Sequence, residues 1–128
     1  MIRVLIAADH GVIRDGLGRD QDDMELVGAA TDGADAVRIA RAERPDVVLM
    51  DLEMPVLDGI EATRRILAEL PGTAVLVLTS FSDRRRIVGA LDAGAVGYLL
   101  KYAAAEDVVR GLRAAARGGP VPRQARDP

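Results

Sequence analysis

Apolar runs rich in Val, Ile and Leu recur along the chain about every 23 residues, a spacing that leaves room for one helix between successive strands. Each run is almost continuously apolar rather than alternating. This pattern is typical of strands that are buried on both faces of a parallel sheet. The five predicted strands are Ile2–Ala8, Met24–Thr31, Asp46–Met50, Thr73–Thr79 and Ala95–Leu100.

The segments between these runs carry apolar residues at helical spacing. Ala36 and Ala40 are four positions apart in the second segment, and Val108, Leu112 and Ala115 form the stripe of the last. Five helices are therefore predicted to alternate with the five strands. The remaining predicted stripes are Ile13 and Leu17, then Ile60, Thr63, Leu67 and Leu70, then Ile87, Val88 and Leu91.

This alternation predicts one α/β domain, a (βα)5 unit with a parallel sheet, right-handed crossovers and helices on both faces. Asp32 and Asp58 are expected to cap the second and third helices. The domain is predicted to cover residues 1–117. From Gly118 the chain is rich in Gly, Pro and polar residues, so residues 118–128 are expected to form a linker or a tail.

Composition and charge exclude several classes of protein. The net charge is −3 and the pI is near 5.1, which argues against a nucleic-acid-binding surface as the main feature of these 128 residues. Cysteine is absent, which excludes disulfides and thiolate metal sites. No apolar run approaches the roughly 18 residues of a membrane helix, and Met1 leads directly into a strand without a signal peptide. We therefore expect a cytoplasmic protein.

Polar residues of an unusual kind end four of the predicted strands. Asp9, Asp51, Thr79 and Lys101 come at the ends of strands one, three, four and five, and Lys101 is the only lysine in the chain. Neighbouring strands are roughly 5 Å apart, and ligands of open α/β sheets bind beyond the carboxyl ends of the strands. These side chains are therefore expected to converge.

The four residue types suit phosphoryl chemistry. Two nearby carboxylates call for a divalent cation, and a site of oxygen ligands alone suits Mg²⁺. A carboxylate such as that of Asp51 is a competent nucleophile toward phosphorus. The ammonium of Lys101 and the hydroxyl of Thr79 could stabilise the negative charge on the transferred group.

Four sequence blocks, 3–10, 47–59, 77–81 and 97–101, resemble the receiver domain of bacterial two-component response regulators. They read RVLIAADH, VVLMDLEMPVLDG, VLTSF and GYLLK, and the resemblance extends from residue 1 to about 117. These blocks are most similar to those of the subfamily with a LuxR-type helix-turn-helix output domain. The resemblance implies a flavodoxin-like fold, with a five-stranded sheet of order 2-1-3-4-5.

The resemblance also implies roles for individual residues. Asp51 is the expected phosphoacceptor, and Lys101 is expected to bind the phosphoryl group. Thr79 is the expected switch hydroxyl that contacts this group, and Tyr98 is the aromatic residue that changes rotamer with it.

The implied Mg²⁺ ligands are the carboxylates of Asp9 and Asp51 and the backbone carbonyl of Glu53. One departure from the family pattern concerns this site. The family usually has a second acidic residue directly before Asp9, where this chain has Ala8. We expect this change to weaken Mg²⁺ binding.

A sensor histidine kinase is the implied phosphoryl donor, and the implied response is a switch in a dimerisation surface of a homodimer. Contact with DNA is expected only through an output domain that is not present in this sequence, so the chain is either part of a longer protein or a stand-alone receiver. No enzyme activity is expected beyond self-phosphorylation from small donors and self-dephosphorylation.

Two other classes of function compete with this interpretation: an interaction module, and an enzyme or flavin-binding domain on the same fold. Ala8 raises the alternative of an interaction module that works without phosphorylation. An aspartyl phosphatase is disfavoured because no second Asp stands two residues after Asp51 as a general acid. A flavin-binding domain is disfavoured because the loop that begins at Asp9 is acidic rather than a phosphate cradle.

Overall fold

Five parallel strands form one sheet in the structure, a computed structural model that describes residues 1–8, 23–80 and 84–119. The strands are β1 (Ile2–Ala7), β2 (Met24–Ala30), β3 (Val47–Asp51), β4 (Ala74–Thr79) and β5 (Gly97–Leu100). They lie side by side in the order β2-β1-β3-β4-β5, which confirms the expected flavodoxin-like topology.

Within the described ranges, four helices follow strands β2 to β5. They are α1 (Gly33–Glu43), α2 (Gly59–Glu69), α3 (Arg84–Asp92) and α4 (Ala105–Arg117), and they correspond to the second to fifth predicted helices. The first predicted helix lies outside the described residues. None of these four helices is both long enough and apolar enough to span a membrane.

Strands β1, β3, β4 and β5 are largely buried on both faces, as their continuously apolar sequences predict, whereas only Ala30 of the edge strand β2 is buried. In β3, Val48 and Met50 belong to the cluster that packs against α1, α2 and α3, which we call the three-helix face. Val47 and Leu49 point the other way, into the cluster that packs against α4, which we call the α4 face. Each fully buried Val or Leu side chain contributes roughly 1.5–3 kcal/mol to this packing.

The predicted helix caps at Asp32 and Asp58 are confirmed. Oδ1 of Asp32 accepts a hydrogen bond from the backbone N–H of Asp35 at 2.7 Å, and Oδ1 of Asp58 accepts one from Glu61 at 2.9 Å. Each cap satisfies a donor that the first turn of a helix leaves unpaired.

Strands β1, β2 and β4 are each one residue shorter than predicted, and three further details differ from the prediction. Val88 of α3 is 56% exposed, because Ile87 and Ala90 are the residues that face the sheet. β5 begins at Gly97 rather than at Ala95, whose N–H closes the turn after α3 by donating to the carbonyl of Ala90 at 3.0 Å. β3 includes Asp51 as its last residue rather than ending at Met50.

A bidentate ion pair joins α4 to the residue that precedes β2. Nε of Arg113 lies 2.7 Å from Oδ2 of Asp23, and the second guanidinium nitrogen lies 3.0 Å from Oδ1. The hydrogen bond from Arg113 is the main reason why the pKa of Asp23 lies below its ordinary value of 3.8.

Stability should depend on pH through this pair. Because the pKa of Asp23 is lowered by folding, its contribution is complete above pH 3.8 and is lost as the pH falls through the lower pKa of the folded state. Asp23→Asn should therefore lower the melting temperature at neutral pH, and the difference from wild type should shrink below pH 3.8. Glu25→Gln, an exposed change on the same edge strand, is the control. A difference that is constant with pH would contradict this assignment.

Candidate functional site

The ends of β3, β4 and β5 are tied together by backbone hydrogen bonds. The N–H of Leu52 donates to the carbonyl of Leu78 at 3.0 Å, and the N–H of Lys101 donates to the carbonyl of Thr79 at 3.0 Å. Asp51 is the last residue of β3, and Lys101 directly follows β5. The backbone therefore holds these residues at one edge of the sheet, as the parallel topology predicts.

Asp51 and Lys101 meet at this edge. Nζ of Lys101 lies 3.1 Å from Oδ1 of Asp51, although β4 separates their strands. The Asp51 side chain is completely buried and that of Lys101 is 19% exposed. A buried carboxylate is costly unless it is paired, so the ammonium compensates much of the cost of burying Asp51.

The two oxygens of the Asp51 carboxylate have different surroundings. Oδ1 contacts Lys101 and also accepts a hydrogen bond from the backbone N–H of Glu53 at 2.9 Å. Oδ2 is buried and accepts no hydrogen bond within the part of the chain that the structure describes. Buried polar atoms without a partner are rare and are found at functional sites. The lone pairs of Oδ2 are therefore available for a new bond.

The Glu53 side chain is a part of the site that the sequence did not predict, since only its backbone carbonyl was expected there. Oε2 lies 3.4 Å from Nζ of Lys101, and Oε1 accepts a hydrogen bond from the Ser80 hydroxyl. The pKa of Glu53 lies below its ordinary value, mainly because of the Ser80 hydrogen bond and further because of the charges of Lys101 and Arg86. Glu53 is therefore ionised at neutral pH.

The two predicted switch residues lie on β4 and β5, the strands that end beside these charges. Thr79 is 1% exposed, and its hydroxyl donates to the carbonyl of Ser80 at 3.3 Å. Tyr98 is 3% exposed and belongs to the apolar cluster of the three-helix face. Their switch roles remain predictions.

Of the predicted Mg²⁺ ligands, Asp9 lies outside the described residues. Within the described ranges, no three His, Asp or Glu side chains are arranged to hold a metal ion. The unpartnered Oδ2 of Asp51 is nevertheless a buried, anionic oxygen of the kind that Mg²⁺ prefers. Asp51 thus fits the expected ligand set, and the role of the Glu53 carbonyl stays a prediction.

Ala8 lies beside Asp51. The register pairs Ala7 with Met50, so the next residues, Ala8 and Asp51, are neighbours at the sheet edge. Ala8 is fully buried in the apolar cluster of the α4 face. The small apolar side chain thus occupies a position from which an acidic residue would lie next to Asp51.

The loop from Leu52 to Asp58 packs closely against two glycines. A Cβ on Gly59 would lie 2.3 Å from the carbonyl oxygen of Asp51, and a Cβ on Gly33 would lie 1.8 Å from that of Leu57. Any other residue at either position would displace the loop that begins at Asp51.

Val56, at the tip of this loop, has a strained backbone. Its φ is +70°, and the N–H of Leu57 donates to the carbonyl of Pro55 at 2.8 Å, across the single residue between them. These features define the rare, strained form of the γ-turn. A β-branched residue is particularly unfavourable at positive φ, and Val56 is 83% exposed, so packing of its side chain provides little compensation.

The fold and the paired charges at the sheet edge are those expected of a receiver domain, and sequence comparison agrees. The family model described as the response regulator receiver domain matches residues 4–113. The chain therefore belongs to the response regulator receiver family.

The chain is similar to curated bacterial regulatory proteins. It is 46% identical over 123 residues to the transcriptional regulatory protein LiaR of Bacillus subtilis, and this match covers 94% of the chain and 58% of LiaR. It is 41% identical over 120 residues to the response regulator VraR of Staphylococcus aureus, with 91% of the chain and 57% of VraR covered. The chain thus spans less than two thirds of each relative.

Among solved structures, a LuxR-family two-component response regulator from Aurantimonas sp. SI85-9A1 has a TM-score of 0.86 and 30% sequence identity. The match covers 97% of this chain and 91% of that one. This similarity confirms the receiver fold and the LuxR-type subfamily that the sequence blocks indicated.

Relief of the backbone strain at Val56 can be measured. Val56→Asn should raise the free energy of unfolding by about 1 kcal/mol, because Asn tolerates a positive φ that Val resists. The same change at Val88, which is also exposed but lies in a helix, should give no gain. Urea denaturation of both variants provides the comparison, and equal effects at the two positions would contradict the assignment of strain to Val56.

Proposed function

We propose that this domain accepts a phosphoryl group on Asp51 from a sensor histidine kinase and changes a dimerisation surface in response. The observation that carries the proposal is the asymmetric Asp51 carboxylate. Oδ1 is held by Lys101 at 3.1 Å, while Oδ2 is buried and accepts no hydrogen bond from the described residues. This arrangement supports nucleophilic attack by Oδ2.

In the proposed step, Oδ2 forms a bond to phosphorus while the bond from phosphorus to the donor's imidazole nitrogen breaks. The nitrogen keeps the electron pair of the broken bond, so the donor histidine becomes neutral after it takes up or retains one proton. Lys101 balances the negative charge that now lies on the phosphoryl oxygens. When bound by Asp51, Asp9 and the carbonyl of Glu53, Mg²⁺ would neutralise further charge on that group.

The proposed response begins with Thr79 and Tyr98. A dianionic group on Asp51 would attract the hydroxyl of Thr79, whose hydrogen bond now goes to the neutral carbonyl of Ser80. Tyr98 packs in the same apolar cluster as Ile87 of α3, so its movement would reshape the surface around α3 and β5. The result is a shift between two packed arrangements.

The wider role also belongs to the proposal. We infer that the domain acts in the cytoplasm, that it forms a homodimer, and that it regulates transcription through a DNA-binding output domain outside this sequence. LiaR and VraR, which are longer than this chain, are regulators by name. The domain is proposed to be a switch with no enzymatic role beyond its own phosphorylation and dephosphorylation.

The alternative of an interaction module that works without phosphorylation is motivated by Ala8. This residue is buried in apolar surroundings beside Asp51 and supplies no carboxylate toward Mg²⁺. Phosphorylation of Asp51 distinguishes the two functions.

Incubation with acetyl phosphate and Mg²⁺ should raise the mass of the protein by one phosphoryl group. Asp51→Asn should abolish the increase, because the amide is not a nucleophile toward phosphorus. Intact-mass spectrometry measures the change, and beryllofluoride binding followed by NMR provides a second measurement. No response of wild type to either reagent at millimolar Mg²⁺ would favour the interaction module.

Restoring an acidic residue at position 8 should strengthen Mg²⁺ binding. Ala8→Asp places a second carboxylate beside Asp51, so the variant should be less stable without metal and should be stabilised more by Mg²⁺ than wild type is. Ala8→Asn, of the same size but uncharged, is the control. The measurement is the melting temperature against Mg²⁺ concentration, and an equal response of all three proteins would refute the placement of this residue at the metal site.

A further inference from the structure

The ammonium of Lys101, which is proposed to face the phosphoryl group, is already held by an anion of the protein itself. The Glu53 carboxylate contacts Nζ of Lys101 at 3.4 Å through Oε2, and its Oε1 accepts a hydrogen bond from Ser80. Ser80 directly follows Thr79 at the end of β4. Glu53 therefore bridges the ends of β4 and β5 across the site.

The backbone of Glu53 is held in place, whereas its side chain is partly exposed to solvent. Its backbone is held to Asp51 by the 2.9 Å hydrogen bond from the Glu53 N–H to Oδ1. Its side chain is 43% exposed, so the carboxylate already borders solvent. A tethered anion that is half in solvent can be displaced without unfolding any element of the fold.

The charge of Lys101 would be shared between the Glu53 carboxylate and an incoming phosphoryl group. Lys101 is shared between the carboxylates of Asp51 and Glu53, so its single positive charge already faces two negative ones. An incoming phosphoryl group adds further negative charge at the same ammonium, and like charges at short range repel. The phosphoryl group and the Glu53 carboxylate would therefore compete for the charge of Lys101.

We propose that Glu53 is a positioning residue that competes, as a tethered anion held in place by Ser80, with phosphoryl groups for Lys101. This inference rests on the proposed function and specifies how the same site is regulated. In the unphosphorylated domain Glu53 holds the ammonium and the hydroxyl. Phosphorylation displaces it into solvent and frees the Ser80 hydroxyl beside Thr79.

The first test removes the charge and keeps the shape. Glu53→Gln should lower the apparent dissociation constant for beryllofluoride at fixed Mg²⁺ by about three- to tenfold, the range expected from losing one charge-assisted contact. It should lower the half-saturating concentration of acetyl phosphate by a similar factor. Ser80→Ala, which removes one of the two contacts to the carboxylate, should act in the same direction but less strongly.

Glu69→Gln is the matched control. It removes the same charge at the last residue of α2, where Glu69 pairs with Arg41. It should leave both constants as in wild type. An effect equal to that of Glu53→Gln would show that net charge alone is responsible and would overturn the proposal.

The second test observes Lys101 directly. Because it is the only lysine in the sequence, isotope labelling of lysine gives one side-chain ammonium signal. Without phosphoryl analogue, Glu53→Gln should shift this signal and Glu69→Gln should not. With saturating beryllofluoride, wild type and Glu53→Gln should give the same signal, because Glu53 has then left the ammonium.

The outcomes separate the two proposals. If wild type shows no Asp51-dependent response to beryllofluoride, the proposed function fails. If wild type responds but Glu53→Gln binds no more tightly, or if the lysine signal is insensitive to residue 53, the competition is refuted while the proposed function stands. Weaker binding by Glu53→Gln would also refute it, since Glu53 would then assist the phosphoryl group.

Discussion

The burial of one carboxylate is the constraint on which the site depends. Asp51 ends a central strand and is inaccessible to solvent, so its charge must be compensated by the protein. Lys101 provides that compensation from the end of a strand that is two positions away in the sheet. The parallel topology makes this contact possible, because it brings the carboxyl ends of all the strands to the same edge. The backbone hydrogen bonds between these ends keep the pair aligned.

The fold was largely predictable from the sequence because its signal is local and repeated. Continuous apolar strands and helical stripes indicate a parallel sheet, and this pattern does not depend on contacts between distant residues. The caps are also local, because Asp32 and Asp58 each bind a backbone N–H three residues away. The order of the strands came from the resemblance to receivers. Helical spacing alone does not predict which apolar residues are buried. Val88 is exposed, because its short helix packs through Ile87 and Ala90.

The site was predictable in its composition but not in its contacts. Strand ends pointed to Asp51, Thr79 and Lys101, since polar residues there are unusual after apolar runs. The carboxylate of Glu53 was missed because its partners, Ser80 and Lys101, are 27 and 48 positions away, and no periodicity links them. A carboxylate two residues after the predicted acceptor was the available signal. The strain at Val56 was also hidden, because composition does not report φ.

The alternation of side chains across the sheet has a consequence for how a signal could travel. Along β3, Asp51 continues the series Val47 and Leu49 on the α4 face, whereas Thr79 continues Val75 and Val77 on the three-helix face. A change of charge on Asp51 and the response expected of Thr79 thus belong to opposite sides of one layer of strands. The sheet edge would couple two otherwise separate halves of the core. A change of charge on the α4 face would then be followed by repacking on the three-helix face.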